Sequence, residues 1–384
     1  MDLDLPPEAE AARAAVRRFL AETLDADGRP PVDWFTRLAA AGYTAPHWPR
    51  PWGLGASPAE QLVIDEELRH AGVRRPENPI GIGWAGPTLV LAGTEEQQQR
   101  WLPGLLDGSE VWCQLFSEPG AGSDLASLST TAVRDGDEWV VNGQKIWTSL
   151  ARQARYGILL ARTDPAAPRH SGISYFVVDM RSPGIEIRPI RQMDGSATFN
   201  EVFLEAVRIP EGNLIGTEHD GWRLARVTLG NERVALSEEG ALWGRGPTVK
   251  TLLDALRAAG RPLDPLSRQR FAAIYSEAEI LRILRLRTVA ALLAGGAEAQ
   301  PGPEASVRKA LSDRHGQKLF ELAVDLCGAD GMLAQHNPAQ LPGMFPWVMG
   351  FLFSPALTIG GGTSEVQRNI IAERVLGLPR DPGA

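Results

Sequence analysis

Apolar positions recur at helical spacing from Pro7 to about Leu106, at strand spacing from about Val111 to Trp222, and at helical spacing again beyond that point. The first stretch opens with Pro6-Pro7 ahead of E-A-E-A-A-R-A-A-V-R-R-F-L. Ser57-Pro58-Ala59-Glu60 then predicts a helix closing near Gly72, because Ser57 can cap, Pro58 suits the first helical position and Glu60 completes a capping box. Thr94-Glu-Glu-Gln97 repeats that arrangement before Gln98-Gln-Arg-Trp-Leu. In the middle stretch Asp135-Gly136 and Asn142-Gly143 are the strongest hairpin signals, flanked by Thr131-Ala-Val and Glu138-Trp-Val-Val. Further strands are predicted at Tyr156 to Arg162, Ile173 to Asp179, Ile185 to Ile190 and Phe199 to Leu204. Beyond Trp222 the pattern predicts long helices such as Phe271 to Ala294, with Arg282, Arg285 and Arg287 facing outward. Gly240 to Arg268, around a short helix at Val249 to Ala259, and Ala294 to Pro303 read as connections. The order predicts a mainly α protein with a central β-domain: helices over 1–110, a sheet over 111–222 and helices over 223–384.

Composition narrows the partners. At 384 residues the chain can build two or three cores, and 43% hydrophobic with 22% charged residues is ordinary for a soluble protein. A net charge of −8 without a basic stripe argues against nucleic acid. Cys113 and Cys327 form no C-x-x-C pair, so free thiols in a reducing compartment are expected. The acidic start Met1-Asp-Leu-Asp-Leu-Pro-Pro has no basic or apolar leader region, and no apolar run of about 18 residues follows, so a cytoplasmic protein is expected. His47, His70, His170, His219, His315 and His336 never pair at ligand spacing, so no metal site is expected. Gly81-Ile-Gly83-Trp-Ala-Gly86 satisfies G-x-G-x-x-G in form only. Pro79 precedes it, no β-rich run leads in and Pro87 follows, so it lacks the strand, turn and helix of a dinucleotide site.

Two segments carry the chemistry: F-S-E-P-G-A-G-S-D at Phe116 to Asp124 and V-N-G-Q-K-I-W-T-S at Val141 to Ser149. A flavin ring is flat, apolar on its faces and edged with N and O atoms, so its pocket needs a stacking aromatic and several donors. Trp147 supplies the first and the bare backbone around Gly120 and Gly122 the second. The hydroxyls of Ser117, Ser123, Thr148 and Ser149 add donors. Taken generically, the same residues also suit a β-hairpin with a buried Trp and a polar loop. Farther on, Gly360-Gly-Gly-Thr-Ser-Glu-Val-Gln367 reads as a glycine loop entering a helix, with Ser364 and Gln367 spaced as a capping box. Its free N–H groups could hold a flavin or CoA phosphate, or it is an ordinary cap.

These strings resemble the acyl-CoA dehydrogenase family, and the resemblance covers essentially the whole chain. G-T-E-E-Q-Q-Q-R-W-L-P-G-L-L-D-G at Gly93 to Gly108, V-R-I-P-E-G-N-L-I-G at Val207 to Gly216 and G-G-T-S-E-V-Q-R at Gly361 to Arg368 add three motifs in the family's order. The resemblance implies an N-terminal helical domain, a middle β-barrel-like domain and a C-terminal four-helix bundle. It implies FAD, held by Phe116, Ser117, Gly122, Ser123, Trp147, Thr148, Ser149, Thr363 and Glu365, and α,β-dehydrogenation of an acyl-CoA to the 2-enoyl-CoA. In that reaction a Glu takes the α-proton and flavin N5 the β-hydride, and the electrons pass to an electron-transfer flavoprotein. Fatty acid or steroid side-chain breakdown and a dimer or homotetramer, or a heterotetramer with a related subunit, fit the same resemblance.

The base is where this chain departs from many members, which carry Glu just before Gly-Thr in the C-terminal motif. Here that position is Gly361, which offers only a backbone N–H toward the substrate. A second branch, for branched or bulky acyl groups, carries the base before an Arg on the first long helix of the C-terminal domain, and Leu229-Gly-Asn-Glu232-Arg233 matches it. Thr228, Leu229, Ala235 and Leu236 lie three or four residues from Glu232, so a carboxylate there is expected to be desolvated and its pKa raised. Arg233 would support the helix, the carboxylate or the substrate, and Ser123 the substrate. The family's R-x-x-F-G is reduced to Arg257 in Arg257-Ala-Ala-Gly-Arg-Pro-Leu-Asp-Pro, Gln269 matches its next cross-subunit Gln, and Q-x-x-G-G-N-G becomes Asp325-Leu-Cys-Gly328-Ala-Asp-Gly331. Two other readings stand beside this one: an oxygen-reactive oxidase or monooxygenase on the same fold, and a non-catalytic subunit of a heteromeric dehydrogenase.

Overall fold

The structure is a computed structural model and describes residues 6–236, 241–242, 246–260, 262–295, 302–332 and 344–380; the side chains of 232–236, 289–295 and 344–346 lie outside it. The chain divides into two compact units, one made of 1–191, 197–231 and 295–297, the other of 192–196, 232–294 and 298–384.

The first unit begins with helices α1 (Pro7–Thr23), α2 (Trp34–Ala40) and α3 (Pro58–His70). Their apolar faces meet in a core of Val16, Leu20, Trp34, Leu38, Tyr43, Ile64 and Leu68. Both predicted capping boxes form. Ser57 Oγ accepts from Glu60 N while Ser57 N donates to the Glu60 carboxylate at 2.7 Å, and Thr94 and Gln97 make the same exchange at the start of α5 (Glu95–Leu106). Gly81 to Ala85 is a π-helical turn running straight into α4 (Gly86–Ala92), so the glycines that mimic a dinucleotide fingerprint sit in helix with no strand ahead of them. Gly86 is required for packing: a Cβ there would lie 2.1 Å from the Trp48 ring.

The strands are β1 (Trp112–Leu115), β2 (Thr131–Asp135), β3 (Glu138–Lys145), β4 (Tyr156–Arg162), β5 (Ile173–Asp179), β6 (Ile185–Ile190), β7 (Phe199–Pro210) and β8 (Leu214–Ile215). They form one sheet in the order β6-β7-β3-β2-β4-β5-β8, with β1 parallel to β4. Six consecutive residues of β4 and of β5 are buried, so both faces of these strands are covered. Alternate residues serve separate cores. Ile158, Leu160, Tyr175 and Val177 join Trp101, Trp112 and Phe116, whereas Leu159, Ala161, Phe176 and Val178 join Trp139, Val141 and Val202.

One hairpin signal is correct and one is corrected. Asp135-Gly136 turns β2 into β3, with Gly136 at φ +66°. Asn142-Gly143 makes no turn; it lies inside β3, which pairs with β7. The register jumps there, from Val141 opposite Val207 to Gly143 opposite Leu204, so Asn142 faces the two residues Glu205 and Ala206 of a bulge. The Asn142 side-chain oxygen accepts from Ala206 N at 2.8 Å, which holds Ala206 at φ +49°. Strand β7 accordingly continues past Leu204, where the sequence pattern ended it, to Pro210.

Helix α6 (Gly221–Leu236) follows; α7 (Val249–Ala258), α8 (Pro265–Gly295), α9 (Glu304–Cys327), α10 (Met344–Phe353) and α11 (Ser364–Ile370) build the second unit. Its core is Leu252, Leu256, Ile274, Leu319, Phe320, Leu322 and Trp347. Helix α8 starts six residues before the predicted Phe271. Its exposed side chains include Arg282 and Arg287 but also Tyr275, Ile280, Ile283 and Leu286, and Arg285 is half-buried rather than facing out. Among the described residues no helix is long and apolar enough to cross a membrane.

Candidate functional site

The two signature segments come together at the end of β3. Ile146 N donates to Ser117 O at 2.9 Å, so the turn after β3 runs beside the start of the Phe116 to Asp124 loop. That loop closes on itself through Glu118 and Ala121, each N–H donating to the other's carbonyl at 3.0 Å. Gly120 and Gly122 stand open, with nothing within 4 Å of where a Cβ would be, and Ser123 is exposed beside them. Phe116 starts this loop from the core side. Its ring is buried edge-on to Tyr175, centroids 5.9 Å apart, so it supports the loop from the core.

Across from this loop, Trp147 is 57% exposed and sits at φ +61°, a backbone region that costs a bulky residue energy and is kept where neighbours enforce it. The enforcement comes from the next residue. Thr148 N donates to Asn200 O at 3.0 Å, Asn200 N returns a bond to Thr148 O at 3.1 Å, and the Asn200 side-chain amide donates to the same oxygen at 2.9 Å. The Thr148 hydroxyl is fully buried and has no partner, an arrangement that costs roughly 1–3 kcal/mol unless a ligand completes it. Ser149 is half-buried beside it.

A flavin fits these residues. An exposed aromatic face, an orphaned buried hydroxyl one residue on and a glycine loop with room for close backbone approach are the groups a planar, polar-edged ring requires. Beneath them lie two groups that the motif reading passed over, Lys145 and Glu118, paired at 2.8 Å and both buried. The alternation of β3 could have found Lys145, since Trp139, Val141 and Lys145 all fall on its buried face.

Helix α6 is anchored by a chain of hydroxyls. Tyr175 OH lies 3.1 Å from Thr228 Oγ1, which lies 2.8 Å from Thr88 Oγ1, and Thr88 Oγ1 donates to Trp84 O at 3.2 Å; all three side chains are fully buried. One consistent assignment runs the protons from Tyr175 to Thr228 to Thr88 to the carbonyl. Burial pushes the Tyr175 phenol well above its usual pKa, so it stays a donor. Leu224 and Thr228 are buried at i and i+4, and Glu232 occupies the next position of that stripe. The side chains of Glu232 and Arg233 lie outside the described residues. Replacing Thr228 by Val keeps the shape but strands the Tyr175 hydroxyl, and is expected to destabilise the protein by roughly 1–3 kcal/mol, with Thr228→Ser near wild type. Thermal unfolding of the two variants measures this; a valine variant as stable as the serine one would remove the chain from the account.

The remaining candidates lie in the second unit, at two places. Arg270 donates to Asp325 at 2.7 Å, which joins the start of α8, where Gln269 is exposed, to the end of α9, where Gly328 at φ +59° stops the helix. A separate groove of about 490 Å³ is lined by Arg314, Gln317, Lys318, Thr358, Thr363 and Glu365 among others. The cap of α11 is corrected by one residue: Thr363 Oγ1, not Ser364, accepts from Val366 N, and Gln367 turns back to donate to the carbonyls of Gly361 and Gly362. Glu365 is exposed, 4.0 Å from Arg368, and Gly361 at φ +67° holds a conformation that suits glycine. Among the described residues no group of three or more His, Cys, Asp or Glu could hold a metal ion. Cys113 and Cys327 are buried and are not joined in a disulfide.

Three acyl-CoA dehydrogenase domain models match the chain: the N-terminal domain over 6–109, the middle domain over 113–207 and the C-terminal domain over 219–376. Acyl-CoA dehydrogenase FadE34 of Mycobacterium tuberculosis is 48% identical over 89% of this chain, which spans only 46% of that relative's length. Acyl-CoA dehydrogenase IpdE1 of the same organism is 41% identical over 97% of this chain and 99% of its own. Among solved structures, the Tcur3481-Tcur3483 steroid ACAD matches with a TM-score of 0.80 at 33% identity, covering 99% of this chain and 100% of that one. The ChsE4-ChsE5 complex from Mycobacterium tuberculosis matches at 0.78 and 31%, again covering 99% of this chain and 100% of its own.

Proposed function

This chain belongs to the acyl-CoA dehydrogenase family of oxidoreductases, and we propose from that premise that it binds FAD and dehydrogenates a bulky, ring-bearing or branched acyl-CoA between Cα and Cβ. The observation that carries the reading is the fully buried, partnerless hydroxyl of Thr148 beside the exposed ring of Trp147. Trp147, Thr148, Ser149 and the open loop at Ser117, Gly122 and Ser123 would hold the ring. Thr363 and Glu365, with Gln269, Asp325 and Gly328, are the remaining cofactor residues in this reading. When bound, the flavin supplies the two-electron acceptor for the hydride leaving Cβ.

Glu232 removes the α-proton as that hydride departs, so the two C–H bonds broken leave one new C=C bond, and the proton stays on its carboxylate. Its place in the chain supports this role, because it follows the buried Leu224 and Thr228 by one helical repeat on α6, and the E-R pattern it forms with Arg233 matches the family branch that carries its base there. The backbone N–H of Gly361 and the Ser123 hydroxyl are the donors assigned to the thioester, where they would oppose the enolate-like charge that proton removal develops. Arg233 supports the Glu232 carboxylate or the substrate.

The substrate class rests on the base position and on the relatives. One related structure is described as a steroid enzyme, and both solved relatives are described as pairs of components. Steroid side-chain thioesters are therefore the substrates of choice, and a related subunit is the partner of choice in an oligomer. Electrons would pass on to an electron-transfer flavoprotein. The test is anaerobic bleaching of the FAD-loaded protein, alone and with a co-expressed related subunit, by straight-chain, branched and steroid side-chain acyl-CoAs. Bleaching is expected to be fastest with the ring-bearing thioester. A protein that takes up FAD but is bleached by none of the panel in either form would sink the dehydrogenase reading.

A further inference from the structure

The pair formed by Lys145 and Glu118 is costly by design. Lys145 is fully buried, and its ammonium donates to Glu118 Oε1 at 2.8 Å and to Phe116 O at 3.1 Å. The Glu118 carboxylate also accepts from Thr130 N at 2.9 Å and from both the backbone N–H and the hydroxyl of Ser129 at 2.7 Å. Removing two charges from water offsets most of what their attraction contributes, and neutral residues of the same volume often serve a fold equally well. Stability alone does not call for this pair.

Its placement does. Phe116 and Glu118 flank Ser117, which takes the backbone bond from Ile146, and Lys145 immediately precedes Ile146, Trp147 and Thr148. The pair thus bolts the root of the open glycine loop to the root of the Trp147 turn, with Ser129 and Thr130 closing the remaining side. We propose that Lys145 and Glu118 are the positioning pair of the flavin-ring site, fixing the register of loop 117–123 against Trp147 and Thr148, so that their effect is felt in how flavin is held rather than in how firmly the chain folds. This rests on the FAD reading above. Both groups are charged at neutral pH: burial pulls the Lys145 ammonium down to about 8, while for Glu118 burial is outweighed by Lys145 and the three donors of Ser129 and Thr130, which hold the carboxylate at about 2.

The test compares Lys145→Met, Glu118→Gln and the double variant with wild type, reading thermal unfolding of the flavin-free protein, FAD affinity from flavin fluorescence, and the shape of the visible flavin band. Each single variant leaves one buried charge without its partner and is expected to unfold at lower temperature. In the double variant the unfolding temperature is expected to return to within ~3 °C of wild type. FAD affinity in that same variant is expected to stay weakened by about tenfold or more, with the fine structure of the flavin band blurred, because a site held loosely fails before a fold does. If the double variant regains stability and FAD affinity together, or stays as unstable as the singles, the pair is a fold element and the proposal is overturned. Single variants that bind FAD as wild type does overturn it as well. A wild-type protein that takes up no FAD overturns the reading beneath it, which sets the two failures apart.

Discussion

Glu232→Gln is expected to slow anaerobic flavin bleaching by an acyl-CoA about 10²–10⁴-fold while FAD and substrate affinities stay near wild type, since a positioned general base contributes about that factor. Gln keeps the size and most of the polarity of Glu, so the helix is not asked to repack; what it loses is the basic carboxylate that accepts the α-proton. The expectation rests on two placements. Leu224 and Thr228 are fully buried on α6, held by the hydroxyl chain through Tyr175 and Thr88, and Glu232 follows one helical repeat later in the sequence. In the C-terminal loop, Gly361 carries no carboxylate, and Glu365 is exposed to water beside Arg368. Glu232→Asp, one methylene shorter, is expected to fall between the two. A Gln variant that bleaches at the wild-type rate would transfer the base to another residue. One that loses FAD would make Glu232 a structural group.

What the sequence disclosed about this architecture follows the range of the interactions involved. The capping boxes at Ser57 and Thr94 were legible because donor and acceptor lie three residues apart. The strands at Tyr156 and Ile173 were legible because burial on both faces leaves continuous apolar runs. The cap of α11 was misplaced by one residue since Thr363 and Ser364 both carry hydroxyls. The choice belongs to Gly361 and Gly362, whose left-handed backbone delivers Thr363 into the cap.

The candidate site was legible in its parts, not in its supports. Trp147 and Thr148 are named by the motif, but their exposure and burial depend on Asn200, 52 residues away, and on a salt bridge between residues 27 apart. No local spacing rule encodes such pairs. Asn142-Gly143 is the instructive error. The dipeptide that favours a hairpin turn here lies opposite a bulge, where the Asn142 side chain bonds the backbone of the bulged Ala206. Only the partner strand decides between them, and β7 lies more than fifty residues downstream.

That same glycine carries the second large effect: Gly143→Ala is expected to destabilise the protein by ~3 kcal/mol, at the upper end of the range for overpacking a rigid core. A Cβ at Gly143 would lie 2.3 Å from Thr130 Oγ1, 2.7 Å from its Cβ and 2.8 Å from its Cα. The hydroxyl could rotate away, but the Cα cannot. Thr130 N donates to the Glu118 carboxylate, so moving that backbone also disturbs the network beneath the ring site, and FAD affinity is expected to fall along with stability. Gly136→Ala is the informative comparison. Gly136 sits at φ +66° in the Asp135-Gly136 turn, with nothing within 4 Å of an added Cβ, so its replacement carries only the backbone penalty of ~1 kcal/mol. Backbone conformation alone ranks Gly136 as the more sensitive of the two, whereas close approach inside the sheet ranks Gly143 first. Thermal unfolding of both variants decides between these rankings. If Gly143→Ala unfolds at the same temperature as Gly136→Ala or higher, the approach of Thr130 is softer than its distances imply, and the glycine is there for the bulge alone.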